Sequence, residues 1–160
     1  MRQIFESEHI SFVEVSEKLV KDYLVMVNDI ENVERYLGGA HEPYTEQQEI
    51  AWVRRKLEEK EQVFSMIEKK SGAFVGNIEL MDVSGPSAEL GIAITAEKQN
   101  MGYGTEAVAA LTAYGRERLG LSRLFLRTDP DNARAIRVYE KCGFREYDRT
   151  PRDVYMELAL

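Results

Sequence analysis

Gln99-Asn100-Met101-Gly102-Tyr103-Gly104 is the stretch on which the reading of this chain turns. An apolar run, Glu89-Leu90-Gly91-Ile92-Ala93-Ile94, precedes it. Thr105-Glu106-Ala107-Val108-Ala109-Ala110-Leu111 follows it with helical spacing. A strand therefore enters a short glycine turn and leaves it as a helix. Glycines at 102 and 104 let the backbone come close to a ligand. The first N–H groups of the helix lack intrahelical acceptors, point back at the turn, and share the positive end of the helix dipole. That combination suits a phosphate. One charge at an exposed dipole end gains only about 0.3–1 kcal/mol, so several N–H donors must share the anion. Two other phosphate loops are excluded. No Gly-Lys-Ser/Thr follows, and no third glycine stands three residues on.

A chain of 160 residues fits one domain, 1–160, with room for a real core. Hydrophobic residues make up 44% and charged residues 31%, which implies a globular rather than a disordered chain. No apolar run reaches the roughly 20 residues of a membrane helix, and the N-terminus lacks a signal-peptide core. The single cysteine, Cys142, excludes an internal disulfide and suits a reducing compartment, so a cytoplasmic location is expected. His9, His41 and Cys142 form no ligand cluster, and no metal is expected. The net charge of −7 is unevenly placed: 14 Asp and Glu face 8 Lys and Arg in residues 1–61, and 14 face 13 in residues 62–160. An acidic chain without a basic stripe disfavours nucleic acid. The early acidic excess reads as solvated helix surface or as a rim that attracts a cationic substrate.

Alternation over 4–15 predicts a first strand. Ser16 then caps a helix carrying Leu19, Val20, Tyr23, Leu24 and Val27. Residues 28–44, with Gly38, Gly39 and Pro43, read as a loop with room for a helical turn. Thr45 and Gln48 form a capping box for a helix whose buried stripe is Ile50, Val53 and Leu57. Trp52 on that helix reads as core rather than as a substrate wall. Strands are expected over 63–67, 73–83 and 87–95, with turns at Lys69-Lys70-Ser71-Gly72 and Ser84-Gly85-Pro86. The helix after the glycine turn ends at Gly120. A strand over 121–128, a short helix from Asn132 to Gly143, and strands around 144–149 and 153–160 complete an α+β (α/β layered) arrangement.

A second motif decides among the readings of the turn. It is Asn132-Ala133-Arg134-Ala135-Ile136-Arg137-Val138-Tyr139-Glu140-Lys141-Cys142-Gly143-Phe144, in which Asn132 and Tyr139 lie two helical turns apart on one face. Together with Gln99-x-x-Gly102-x-Gly104, it resembles the GNAT superfamily of N-acetyltransferases. Within it, the similarity is to the RimJ/RimL-like branch, which includes ribosomal-protein N-terminal and spermidine acetyltransferases. The motifs cover residues 89–144, and the element order matches over nearly the whole chain.

The resemblance implies a mixed, mostly antiparallel sheet with helices on both faces and a central parallel pair, here 87–95 and 121–128, that splays apart. It implies acetyl-CoA as co-substrate. The pantetheine arm would lie along Ile92, Ala93 and Ile94, and the pyrophosphate on Gln99, Asn100, Met101, Gly102, Tyr103, Gly104 and Thr105. Asn132 would meet the cofactor across the cleft, with Arg134 and Arg137 the nearest of seven basic residues between 116 and 141. Tyr139 would contact the cofactor sulfur as the acid. For an ordinary phenol, protonating a thiolate is uphill by about 2 kcal/mol. Glu89 is the expected base and Glu79 the reserve. Ala93 stands where relatives carry a large aromatic, which widens the acceptor side. Cys142 stands in place of a usual Leu and reads as a small buried residue. The implied reaction is transfer of acetyl to a primary amine: a small amine, a polyamine or a peptide N-terminus, cationic by the charge balance. A homodimer is a further expectation. A catalytically silent module that binds acetyl-CoA or a partner remains the alternative.

Overall fold

The computed structural model describes residues 1–37, 39 and 41–160; Gly38, in the expected loop 28–44, lies outside the described residues. The strand expected over 4–15 is two strands, β1 (Gln3–Glu6) and β2 (Ile10–Glu14), paired antiparallel. Polar Ser7, Glu8 and His9 turn the chain between them, Ser7 N–H bonding Ile10 C=O at 2.9 Å. Glu106 fastens this turn to the body by accepting from the Ser7 hydroxyl at 2.6 Å and the His9 N–H at 2.7 Å. Alternation alone does not reveal such a break.

Ser16 accepts the Lys18 N–H at 3.2 Å and starts a 3-10 turn, Glu17–Leu19, that runs on as α1 (Val20–Val27). The capping box opens α2 (Glu46–Glu58): Gln48 N–H reaches the Thr45 hydroxyl at 3.2 Å, and Thr45 N–H reaches the Gln48 amide oxygen at 2.8 Å. Then β3 (Gln62–Glu68), β4 (Phe74–Ser84) and β5 (Ser87–Ile94) form an antiparallel meander. α3 (Tyr103–Leu119), β6 (Arg123–Thr128), α4 (Ala133–Lys141), β7 (Arg145–Arg149) and β8 (Val154–Ala159) follow.

The eight strands make one sheet in the order β1-β2-β3-β4-β5-β6-β8-β7. β8 returns inside β7, a placement that the sequence did not specify. β5 and β6 are the one parallel pair among the described residues, and they pair over three positions only: Ser87 with Arg123, Ala88 with Leu124, Glu89 with Phe125. β5 then runs on to Ile94 held by β4 alone, and β6 runs on to Thr128 held by β8 alone. The pair therefore parts after Glu89 and leaves a gap in the middle of the sheet.

The core lies on both faces. One cluster joins Phe12, Phe64, Met66, Ile78, Leu90 and Leu124 to Val108 and Leu111 of α3 and Tyr139 of α4. The other joins Val63 and Phe74 to Tyr23 of α1 and Val53 of α2. Period two explains the division, since Val63 and Phe64 point to opposite faces of β3. The stripe expected on α2 is corrected: Leu57 is 44% exposed, and Glu49, Val53 and Lys56 face inward. Val53 is common to both settings and Ile50 still packs against the core, so the buried face is shifted toward Glu49 and Lys56 by less than one residue step.

Candidate active site

The glycine turn sits at the open end of the gap. Asn100 (φ +62°) and Gly102 (φ +86°) take left-handed backbone, which Asn and Gly tolerate. Gly102 is the N-cap of α3 and supplies no side-chain cap. Among the described residues, no N–H from Asn100 to Thr105 has a partner; Glu106 is the first, bonding Gly102 C=O at 3.2 Å. Six donors at one helix start are left for a ligand. Met101 is 60% exposed. A Cβ on Gly104 would lie 3.4 Å from Ile94 Cδ1 and 3.6 Å from Val138 Cγ2, so α3 begins pressed between β5 and α4.

Two of the expected ligands in the turn also hold it in place. Gln99 spends its N–H on Ala96 C=O, and its side-chain amide donates to Asn32 C=O and Ile94 C=O at 2.9 Å each. It also accepts from Arg134 Nη1 at 2.6 Å. Gln99 thus ties the end of β5 to α4. The Tyr103 side chain is buried and donates its hydroxyl to Glu68, leaving only its N–H for an anion.

Sequence reasoning missed Glu68. It is 2% exposed and accepts hydrogen bonds from Ser71 Oγ at 2.6 Å, from the Tyr103 hydroxyl, and from Lys98 Nζ at 3.3 Å. Lys98 precedes the turn and Tyr103 ends it, so one carboxylate clamps both sides. Hydrogen bonds from Ser71, Tyr103 and Lys98 hold its carboxyl down at about 2. Donation to that anion, with burial, pushes the Tyr103 phenol up to about 12. The only sequence signal was a glutamate closing β3 before a charged turn.

The β5 edge faces the gap in a fixed pattern. Thr95 N–H bonds Val75 C=O, in register with the pairing of Ala93 to Asn77 and of Gly91 to Glu79. By alternation Ile92 and Ile94 turn their backbone groups away from β4, toward the gap. Gln99 takes the Ile94 carbonyl, which leaves the Ile92 N–H, Ile92 C=O and Ile94 N–H open. Ala93 faces β4 with its backbone and packs its methyl toward α1 and α2. Gly76 makes this close approach possible. A Cβ there would stand 2.1 Å from Ala93 O.

A cleft of about 1570 Å³ runs through the gap and is lined from both faces of the sheet. On the α3–α4 side lie Gly102, Gly104, Thr105, Asn132, Arg134, Arg137 and Tyr139. Asn132 Oδ1 accepts the Ala135 N–H at 3.3 Å as the cap of α4. Arg137 is exposed at the rim. Tyr139 is 6% exposed, with its ring 5.9 Å from Phe144, and its hydroxyl has no partner among the described residues. Burial, with Cys142 beside it, pushes this phenol up to about 12. Burial also raises the Cys142 thiol.

On the α1–α2 side lie Glu49, Trp52, Glu79, Met81, Glu89 and Gly91. Glu89 is 17% exposed at its side chain, with Arg127 Nε 4.0 Å away. Burial raises its carboxyl above the usual range; Arg127 opposes this, and Asp82 and Glu79 add to it. Glu79 is paired with Lys56 at 3.4 Å. Trp52 packs against the second core cluster as expected, edge-on to Tyr23 at 5.6 Å, and it also lines the cleft. Among the described residues no group of three or more His, Cys, Asp or Glu could hold a metal, and no helix is long and apolar enough to cross a membrane.

The model of the acetyltransferase (GNAT) domain matches residues 10–145. An uncharacterized N-acetyltransferase, YnaD, of Bacillus subtilis is 28% identical over 115 residues, 71% of this chain and 66% of that protein. The spermidine N(1)-acetyltransferase of Escherichia coli K12 is 36% identical over 75 residues, 46% of this chain and 40% of that protein. The matched region thus spans less than two thirds of either relative. The solved acetyltransferase (GNAT family) of Bacillus anthracis superposes with a TM-score of 0.84 at 22% identity, covering 96% of both chains.

Proposed function

The chain belongs to the GNAT family of acetyl-CoA-dependent N-acetyltransferases, and from that premise we propose that it moves an acetyl group from acetyl-CoA to a primary amine of a small cationic acceptor, in the manner of the RimJ/RimL-like branch. The observation that carries this reading is the row of unpartnered N–H groups from Asn100 to Thr105, set at the mouth of a gap lined by open backbone donors.

In this reading the two substrates come from opposite faces. The diphosphate sits on the turn between α3 and the rim arginines, with Arg134 and Arg137 neutralising its outer charge. The pantetheine arm follows the β5 edge, accepting from Ile94 N–H and bonding both backbone groups of Ile92. The thioester carbonyl becomes more anionic as the amine adds, and a backbone N–H aimed at that oxygen in a dry cleft stabilises it. The acceptor arrives from the α1–α2 side, where Glu89 waits. An alkylamine at pH 7 costs about 4–5 kcal/mol to deprotonate. A half-buried carboxylate with a raised pKa, acting directly or through one water, is better matched to that proton than an exposed one. The names of the spermidine-acetylating relatives and the acidic α1–α2 wall both support a cationic acceptor.

The test is thiol release. Purified protein with acetyl-CoA and a panel of primary amines is expected to liberate free CoA thiol with at least one cationic alkylamine, with acetylated amine appearing in equal amount. Binding of acetyl-CoA with no thiol from any amine would favour the silent module instead.

A further inference from the structure

A line of hydrogen bonds runs from the start of α1 through the sheet to the acceptor side of the cleft. Its first donor is the Ser16 N–H, which gives to the Tyr23 hydroxyl oxygen at 3.2 Å. An N–H cannot accept, so the Tyr23 proton goes the other way, to Ser65 Oγ at 2.6 Å. Burial raises the Tyr23 phenol, which keeps that proton in place. Ser65 then donates to Asn77 Oδ1 at 2.7 Å. Tyr23 and Ser65 are fully buried, so solvent does not compete for these bonds. The opposite setting of the amide, with Nδ2 toward Ser65, would send the Ser65 proton back to Tyr23 and leave the phenol proton without an acceptor. The relay therefore fixes Asn77 with Nδ2 turned away from Ser65.

Asn77 is half-buried and lines the cleft, and its Nδ2 has no acceptor among the described residues. On β4 it stands between Ser65 of β3 and Ala93 of β5, each directly opposite. Ala93 is only a methyl and brings no acceptor. The same register sets Glu79 opposite Gly91 and Met81 opposite Glu89, all on one face of the sheet. Asn77 is thus one strand repeat, about 6–7 Å, past the level of Gly91. In the acyl-transfer reading the amine attacks near that level, just beyond the point where β5 and β6 part. A donor whose orientation is set from the core faces the acceptor space with nothing to give to.

We propose that Asn77 determines acceptor specificity: its oriented Nδ2 donates to a neutral oxygen of the acceptor, so the substrate class is a primary amine with a hydrogen-bond-accepting oxygen about 6–7 Å from the reacting nitrogen. Ser65 and Tyr23 are positioning residues that hold the amide. This rests on the acyl-transfer reading above and narrows it. An alkyl chain at that point strands the amide proton, and an ammonium there has only donors to offer.

The experiment compares 4-methoxybutan-1-amine with hexan-1-amine. They match in length and reacting amine and differ by one ether oxygen in place of a methylene; that oxygen accepts and cannot donate. Wild-type protein is expected to favour the ether in kcat/KM by about threefold or more, because the alkyl chain leaves the oriented donor unpaired. In Asn77→Asp the carboxylate still accepts from Ser65 but turns lone pairs, not a donor, toward the ether. The ether-to-alkyl ratio is expected to fall about fivefold or more in that variant, the size of one neutral hydrogen bond. Ser65→Ala leaves Asn77 in place but frees its amide to turn, and the same ratio is expected to fall about twofold or more. A merely structural loss in Ser65→Ala would slow both amines alike and would remove the relay from the proposal. A wild-type ratio of one or less, or a ratio in Asn77→Asp within about twofold of wild type, would overturn the role of Asn77 and leave acyl transfer standing. No thiol from either amine or from the wider amine panel would overturn acyl transfer and the role of Asn77 with it.

Discussion

Replacing Tyr139 with phenylalanine is expected to lower kcat for thiol release about a hundredfold while KM for acetyl-CoA changes by less than about twofold. The ring would stay where it is, packed near Phe144 in the core. The lost hydroxyl has no protein partner among the described residues, so its removal strands no buried group and Tm should not fall. The size of the effect follows from the pKa. With the phenol pushed up to about 12, complete transfer of its proton to a thiolate near 8.5 is uphill by about 5 kcal/mol, against about 2 for an ordinary phenol. In the proposed reaction Tyr139 would therefore serve better as a hydrogen-bond donor to the departing sulfur than as a full acid. A hydrogen bond to a charged group contributes about 1.5–3 kcal/mol, which corresponds to roughly ten- to 150-fold in rate. The same loss is expected from pH 6 to 9, because Tyr139 does not titrate there. Turnover within threefold of wild type would remove the hydroxyl from the chemistry.

Gly76→Ala is expected to cost about 3 kcal/mol or more of stability and most of the activity. The new methyl would stand 2.1 Å from Ala93 O, 2.9 Å from Ile94 Cα and 3.0 Å from Ala93 C, all backbone atoms of the strand that edges the gap. No rotamer change relieves such a contact, so β5 must move away from β4 and carry the Ile92 and Ile94 donors with it. In a chain of this length about 3 kcal/mol corresponds to a fall in Tm of roughly 6–12 °C. Gly91→Ala is the control on the same sheet. There the methyl meets first the mobile end of Met81, at 2.9 Å, which can turn aside. Its Tm is expected to stay within a few degrees of wild type. Thermal melts of the two variants decide the point, and equal melting temperatures would contradict the proposed tight approach at Gly76.

The fold was legible wherever the signal was local. Gly102 needs a left-handed φ, Thr45 and Gln48 cap across one turn, and the strand–turn–helix around residue 100 depends on near neighbours alone. The gap between β5 and β6 followed only from resemblance. Nothing within 87–94 or 123–128 tells that pairing stops after three positions. The break at Ser7–His9 was hidden because Glu106, 97 residues from His9, holds it. In the site, the backbone donors were readable from the glycines, but the side chains that set them were not. Gln99 and Tyr103 stand inside the motif yet act as braces, and Glu68 acts from outside it. Glu49 escaped notice, and Trp52 was read as core alone, for a related reason. On an amphipathic helix a glutamate defaults to the solvated face and a tryptophan to the core, and the rotation of α2 that puts both at the cleft comes from packing against α1.

The central claim is that backbone N–H groups of the Gly102–Gly104 turn hold the diphosphate of the coenzyme. Titration of CoA into the uniformly ¹⁵N-labelled protein, followed by amide spectra, tests it most directly. The account predicts that the resonances of residues 100–105 move furthest, together with those of Ile92 and Ile94. Saturable CoA binding that leaves the amides of 100–105 in place would contradict it.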